Sequence, residues 1–213
     1  MIPRFALMTT LALAWMVPLP GTVFAAGQEP TPACASARWL APLAATPEAG
    51  DVARTPVAED APAWLTAELT DACSGEPFAL ADFAGKTVYV EAMATWCPPC
   101  RDQLARVKDA AAQIPAEERA DIVFVALSSE VGLPRETLAA YAADNDFPFI
   151  FAVMPAEMLT AMAADLGQEI AVPPATPHLI VAPDGTVGEV RTGSASPEEV
   201  LALVAAARAA PAS

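Results

Sequence analysis

Cys97 and Cys100 stand two residues apart in the stretch Trp96-Cys97-Pro98-Pro99-Cys100-Arg101. The run before them, Thr87-Val88-Tyr89-Val90-Glu91-Ala92, has the apolar content of a strand, and Arg101 to Ile114 has the period of an amphipathic helix. A Cys pair at a helix start has a particular chemistry. The unpaired N–H groups of the first turn carry partial positive charge, which stabilises a thiolate there. Cys97 is then the exposed nucleophile, and Cys100, one turn further in, is near enough to close a disulfide onto it. Pro98 and Pro99 suit the first turn, where a missing N–H costs little. The same spacing also serves metal ligands or a structural crosslink. A structural zinc site wants four Cys or His ligands. Only His178, Cys34 and Cys73 remain to supply two, so the count favours redox chemistry.

Other side chains could join that chemistry. Glu91 is an ionisable group inside an apolar strand. Burial there would raise its pKa and suit it to proton transfer, whereas a solvent-facing strand edge would leave it an ordinary carboxylate. His178 is the sole histidine and begins an apolar run, a common setting for a packed or half-exposed ring. Cys34 and Cys73 either pair, tying the N-terminal region to the domain, or remain separate thiols, since spacing does not reveal connectivity.

The elements that must position these groups follow from composition and period. The chain has 213 residues, 54% of them hydrophobic, which suggests one domain with appendages. Lys and Arg number 11 against 26 Asp and Glu, a formal charge of −15. Such a balance argues against nucleic acid, whose phosphates need a cationic face. It serves solubility and favours basic over acidic partners. Arg4, the apolar stretch Phe5–Val17, the breakers Pro18, Pro20 and Gly21, and Val23-Phe24-Ala25 together have the form of a signal peptide covering 1–25. An uncleaved N-terminal anchor is the alternative, and only that would associate the chain with a membrane. Either way the cysteines reach a compartment that permits disulfides. Residues 26–60, rich in Ala, Pro, Glu and Thr, have no sustained period and suggest a flexible tether.

The domain is expected over 61–213. It should open with a hairpin or two short strands across Trp64–Leu69 and Phe78–Leu80. Ile122–Leu127 is apolar on both faces, as in a central parallel strand. A helix is predicted over 134–144, a strand over 149–153 and a helix over 155–166. Met158 and Met162 fall on the last helix's core stripe. His178–Val181 is a strand, Pro183-Asp184-Gly185 a turn, and Thr186–Thr192 the returning hairpin partner. Ser196-Pro197-Glu198-Glu199 is a capping box that starts a last helix. The alternation argues an α/β sheet with helices on both faces.

From about Leu69 to Arg208 the chain resembles the thioredoxin fold and, within it, the TlpA/ResA-like periplasmic thiol–disulfide oxidoreductases. The likeness is carried by Gly85-Lys86, Ala94-Thr95-Trp96-Cys97-Pro98-Pro99-Cys100-Arg101, the late Thr176-Pro177, and the added helix and strand at 134–153. Two stretches depart from that family: Glu91-Ala92-Met93 replaces its Asn-Phe-Trp, and Pro177-His178-Leu179-Ile180-Val181 is closer to thioredoxin itself. The resemblance implies a central mixed sheet with helices on both faces and an inserted helix–strand unit. It implies Cys97 as attacking and Cys100 as resolving thiol, with Glu91 standing where thioredoxin has its buried proton-shuttling carboxyl. Pro177 would be a cis-proline facing the pair. Trp96, Pro98, Pro99, Thr176 and Pro177 would meet the substrate, with Thr176 offering backbone groups to an extended segment. The implied function is an exported, periplasmic reductase of protein disulfides, of the cytochrome c or copper-site maturation type. A membrane thiol-electron transporter would supply its electrons, and no cofactor is implied. The alternative is a copper-binding assembly module using Cys97, Cys100 and His178. The signal segment makes one direct prediction: intact-mass spectrometry of the purified exported protein should find it lacking Met1–Ala25. A full-length, membrane-bound product would favour the anchor.

Overall fold

The computed structural model describes Cys34 and residues 61–209; the expected signal segment, the rest of the expected tether and residues 210–213 lie outside the described residues. The expected hairpin is present but short. Leu69–Thr70 (β1) pairs antiparallel with Pro77–Phe78 (β2), Leu69 opposite Phe78. Trp64, expected within it, lies instead in a single 3-10 turn, Ala63–Leu65, that follows Pro62. That turn buries the indole, whose Nε1–H donates to Asp165 Oδ2 at 3.1 Å.

Thr87–Met93 (β3) and Ile122–Ser128 (β4) are buried along their whole length. A strand with no polar side must be covered on both faces, which places it in the middle of a sheet. The observed order is β5-β4-β3-β6, where β5 is Ile150–Val153 and β6 is His178–Val181. β3 runs parallel to β4, β4 parallel to β5, and β6 antiparallel to β3. The sheet is mixed, and the inserted unit supplies its edge: helix 135–144 followed by β5.

Alternation along β3 sorts the two cores. Tyr89 and Met93 join the cluster that contains residues of Pro98–Gln113 (α1), Arg135–Asp144 (α2) and Pro197–Ala209 (α4). Val88, Val90 and Ala92 join the opposite cluster with Ala156–Leu166 (α3) and the turn at 63–65. Helices thus cover both faces of a thioredoxin-like sheet. Met158 and Met162 are buried on α3, as their spacing requires. The capping box forms at α4: Ser196 N–H donates to Glu199 Oε2 at 2.7 Å, and Glu199 N–H donates to Ser196 Oγ at 3.3 Å.

The returning partner of β6 does not form a continuous strand. Val187 pairs with Val181 and Arg191 with His178, so the two bridges differ in register by one residue. One extra residue on the return side is a bulge, which interrupts the ladder. Turn chemistry at Pro183-Asp184-Gly185 announces the reversal but says nothing about a slip further along.

Cys34 and Cys73 are joined in a disulfide with Cα atoms 5.1 Å apart. Asp71 organises the Cys73 side, accepting from the N–H groups of Cys73 (3.3 Å) and Ser74 (3.0 Å). The bond closes a loop of sequence separation 39. Removing it with a Cys34→Ser/Cys73→Ser pair should lower stability by up to about 4 kcal/mol on the chain-entropy estimate for such a loop. Denaturant unfolding of the double variant against the parent measures this, and an unchanged midpoint would mean that the bond contributes nothing to the fold's stability.

Candidate active site

The site forms where β3 ends and α1 begins. Met93 closes the strand, Thr95 and Trp96 make the connection, and Cys97 is the cap of α1. Cys97 has extended backbone (φ −96°, ψ 102°), and its Sγ accepts from the Cys100 N–H at 3.2 Å. A sulfur thus occupies the place usually held by a serine or aspartate oxygen. Pro98 and Pro99 fill the first helical positions without wasting a donor. Cys97 and Cys100 form a disulfide, with Cα atoms 5.4 Å apart.

The expected exposure of Cys97 is not found. The residue is 1% exposed, while Trp96 beside it is 62% exposed. In the oxidised state the sulfur is turned inward onto its own helix, and the turn Pro173–Ala175 packs against α1. Another thiol can reach Cys97 only if some of the packing around it gives way. Cys100 is fully buried, and its Sγ lies 3.0 Å from the Pro173 carbonyl oxygen. Once reduced, that thiol can donate to the carbonyl.

The Thr176–Pro177 bond also departs from expectation: no cis peptide bond occurs among the described residues, so it is trans. The reversal is made by Thr176 instead, which adopts the left-handed region at φ 48° and ψ 55°. Residues before proline avoid the right-handed helical region, so some other departure from extended backbone must turn the chain here. The Thr176 N–H donates to Pro173 O at 2.8 Å, and its carbonyl lies 3.0 Å from His178 Nδ1. Its backbone groups are therefore used within the chain rather than offered to a partner. Thr176 and Pro177 are buried; Trp96, Pro98 and Pro99 are exposed.

Three contributors were not singled out from the sequence. Glu130, just beyond β4, accepts from the Thr95 N–H at 2.6 Å and from Thr95 Oγ1 at 3.1 Å, fixing the approach to Cys97. Its signal is position alone: an acid at the carboxyl end of a central strand, where ligand-handling groups collect in such sheets. Gln103 is a polar residue on the buried stripe of α1, three residues after Cys100. Its Oε1 accepts from the Ala195 N–H at 2.9 Å and ties α1 to the segment before α4. Val131 and Val172 are the third: with Trp96 they are the exposed large hydrophobic residues of the described chain. Each adjoins the site in sequence, Val131 next to Glu130 and Val172 next to Pro173.

Glu91 is fully buried in β3, on the face shared by α1 and α4. Burial holds its pKa well above the ordinary glutamate value, and a hydrogen bond from the Tyr89 hydroxyl to Oε2, at 3.4 Å, offsets this only in part. Oε1 has no hydrogen-bond partner. Tyr89 is itself pushed up by burial and by the neighbouring carboxyl. His178 is pushed down by burial, opposed by its bond to the Thr176 carbonyl. The ring stacks on Tyr89 with centroids 5.6 Å apart. Cys97, Cys100 and His178 are not gathered as ligands; no group of three His, Cys, Asp or Glu suited to a metal occurs among the described residues.

A raised carboxyl pKa has a definite effect on stability. Between the ordinary value and the raised one, the folded chain holds a proton that the unfolded chain has lost. Stability from this group is full below the ordinary value and falls as pH rises toward the folded one. Glu91→Gln removes that loss. The variant should melt higher than the parent at neutral pH, with the gap closing near pH 4, about the ordinary glutamate value. Melting curves across this range test it; parallel pH profiles would mean that the carboxyl is not held neutral.

Comparison with known proteins places this geometry. The chain is similar in structure to a thiol:disulfide interchange protein of the thioredoxin family from Chlorobium tepidum, at TM-score 0.55 and 20% identity over 66% of this chain and 92% of that one. It is similar to a secreted Mycobacterium tuberculosis disulfide oxidoreductase homologous to E. coli DsbE, at TM-score 0.52 and 20% identity over 68% and 99%. It is also similar to copper-bound ScoI of Arabidopsis thaliana, at TM-score 0.50 and 15% identity over 66% and 94%. At these identities the likeness is one of fold. Residues 51–202 match the Redoxin family, well over half of the sequence. The chain belongs to the Redoxin family, and with the Cys97–Cys100 disulfide at the head of α1 it is a thioredoxin-like thiol–disulfide oxidoreductase.

Proposed function

We propose that the protein is an exported reductase of protein disulfides. One observation carries the division of labour: Cys97 caps α1 and its Sγ receives the Cys100 N–H, while the Cys100 Sγ faces the Pro173 carbonyl in the interior. A thiolate at Cys97 is stabilised by that hydrogen bond and by the helix terminus. In the reduced protein, Cys97 attacks one sulfur of a partner disulfide and expels the other as a thiolate. Cys100 then attacks Cys97, releases the partner's second sulfur, and leaves the Cys97–Cys100 disulfide. Two electrons pass to the partner. Glu91, a neutral acid in the resting protein, takes the proton that Cys100 must lose as it gives up its own, a relay suited to a buried carboxyl of raised pKa. The partner meets Trp96, Pro98 and Pro99, with Val131 and Val172 extending the apolar rim. The acidic chain favours a basic partner.

The finer assignment is to the TlpA/ResA-like type. Electrons would come from a membrane thiol transporter, and the substrates would be disulfides met in cytochrome c or copper-site maturation in the periplasm. It is supported by the signal-like segment 1–25, by the Ala94–Arg101 motif and by the inserted α2–β5 unit. The similarity to a secreted oxidoreductase and to a Sco protein agrees with it. Cys97→Ser should abolish partner reduction, and Cys100→Ser should retain the attack and accumulate a mixed disulfide. Non-reducing gels and mass mapping of the adducts distinguish the two. Adducts on Cys100 in Cys97→Ser, and none on Cys97, would reverse the assigned roles.

A further inference from the structure

The proton that leaves Cys100 needs a route out of the interior that a docked partner does not cover. Glu91 lies directly opposite His178 in the β3–β6 pairing. The neighbouring bond Ala92 N–H to Pro177 O, at 2.9 Å, belongs to the adjacent pair, and the backbone of His178 bonds instead to Arg191 on its other side. Glu91 and His178 are thus a non-hydrogen-bonded pair, the kind whose Cα atoms approach to about 4.5 Å. Their side chains share the face under α1 and α4.

His178 is held in one orientation. Its Nδ1 lies 3.0 Å from the Thr176 carbonyl, an acceptor only, so Nδ1 carries the hydrogen of the neutral ring and Nε2 keeps a lone pair. Tyr89 holds the face of the ring and bonds Glu91. The charged and titratable groups around the ring are Tyr89 and Glu91 on β3, Arg191 on the return segment and Glu199 on α4. His178, Arg191 and Glu199 line a cavity of about 430 Å³ bounded by residues 191–195 and α4. No residue of 94–101, nor Val131 or Val172, lines it.

We propose that His178 is the outer member of a proton path, Cys100 to Glu91 to His178, that opens into this cavity on a side the partner leaves free. The inference rests on the assignment of Glu91 to the Cys100 proton. As the sulfur attacks, the Cys100 thiol gives its proton to one oxygen of the Glu91 carboxyl while the proton that this neutral acid already holds leaves from the other. That second proton passes to His178 Nε2, and the imidazolium, destabilised by burial, releases it to water in the cavity. No electrons move in these steps. His178 acts through Glu91 and is a relay, not a group that touches the sulfurs.

The test separates attack from resolution. Reduced protein is mixed rapidly with a disulfide-bonded peptide and followed by Trp96 fluorescence, the attack being measured alone in Cys100→Ser. His178→Gln should slow resolution near neutral pH by roughly a hundredfold, the low end of what a positioned proton-transfer group contributes. The attack should be unchanged. Imidazole added to His178→Ala should restore the resolving rate, which a merely structural role would not allow. Because His178 is the sole histidine, carbethoxylation of the parent with diethyl pyrocarbonate gives a second test that needs no variant. It should slow resolution alone, and hydroxylamine should reverse it. Wild-type resolution in His178→Gln with slow resolution in Glu91→Gln would overturn the relay and leave Glu91 in place. Wild-type resolution in both would overturn the Glu91 assignment itself. A ring that the reagent cannot reach, or a modified protein that resolves at full rate, would also overturn the relay.

Discussion

The structure depends on one constraint: the strand that delivers the redox pair has no solvent-facing side. β3 is hydrogen-bonded on both edges and covered on both faces. Its carboxyl end therefore has a fixed position, and α1 starts there with the Cys100 N–H turned toward the Cys97 sulfur. The same burial makes Glu91 costly to ionise. Thiolate stabilisation above and carboxyl neutralisation below are two effects of one placement. The helix terminus supplies one donor, the Cys100 N–H, to the sulfur, and the sheet withholds water from the acid.

Around that junction, several segments with no common secondary structure hold the geometry. Glu130 reaches from beyond β4 to bind Thr95, Gln103 ties α1 to Ala195, and the Pro173 carbonyl faces Cys100. Each is a contact between distant parts of the chain, so the site is assembled only when the sheet order is complete. The exposed apolar residues Trp96, Val131 and Val172 sit on these same connecting segments. Glu130 and Pro173 thus lie next in sequence to exposed apolar residues, Val131 and Val172.

Much of this was legible in the sequence because local rules governed it. The apolar runs at 87–93 and 122–128 gave the central strands, and the Ser196–Glu199 box gave the start of α4. Pro98 and Pro99 occupy the first turn of the helix, as expected, ahead of the periodic run from Arg101. What escaped was set by tertiary contact. Trp64 went into a 3-10 turn because its indole finds Asp165 on α3, 101 residues away. Cys97 is buried because it packs in the cluster that gathers residues of α1, α2 and α4, remote in sequence, on one face of the sheet. The turn at Thr176 uses a left-handed residue where family likeness implied a cis bond, and nothing in Ala175-Thr176-Pro177 alone distinguishes the two. The pairing of Cys34 with Cys73 was open because connectivity is a property of the folded chain.

The Cys34–Cys73 bond also determines where a mechanical load enters the domain. Tension applied to the chain upstream of Cys34 passes through the covalent bond to Cys73 and bypasses everything between the two. It arrives beside Ala72, whose N–H is bonded to the Phe151 carbonyl of β5 and whose own carbonyl is gripped by Arg135. The first elements to bear it are the sheet edge and α2, with β4 between that edge and the strand carrying Glu91. A pull on the leading segment is therefore met first by the inserted unit.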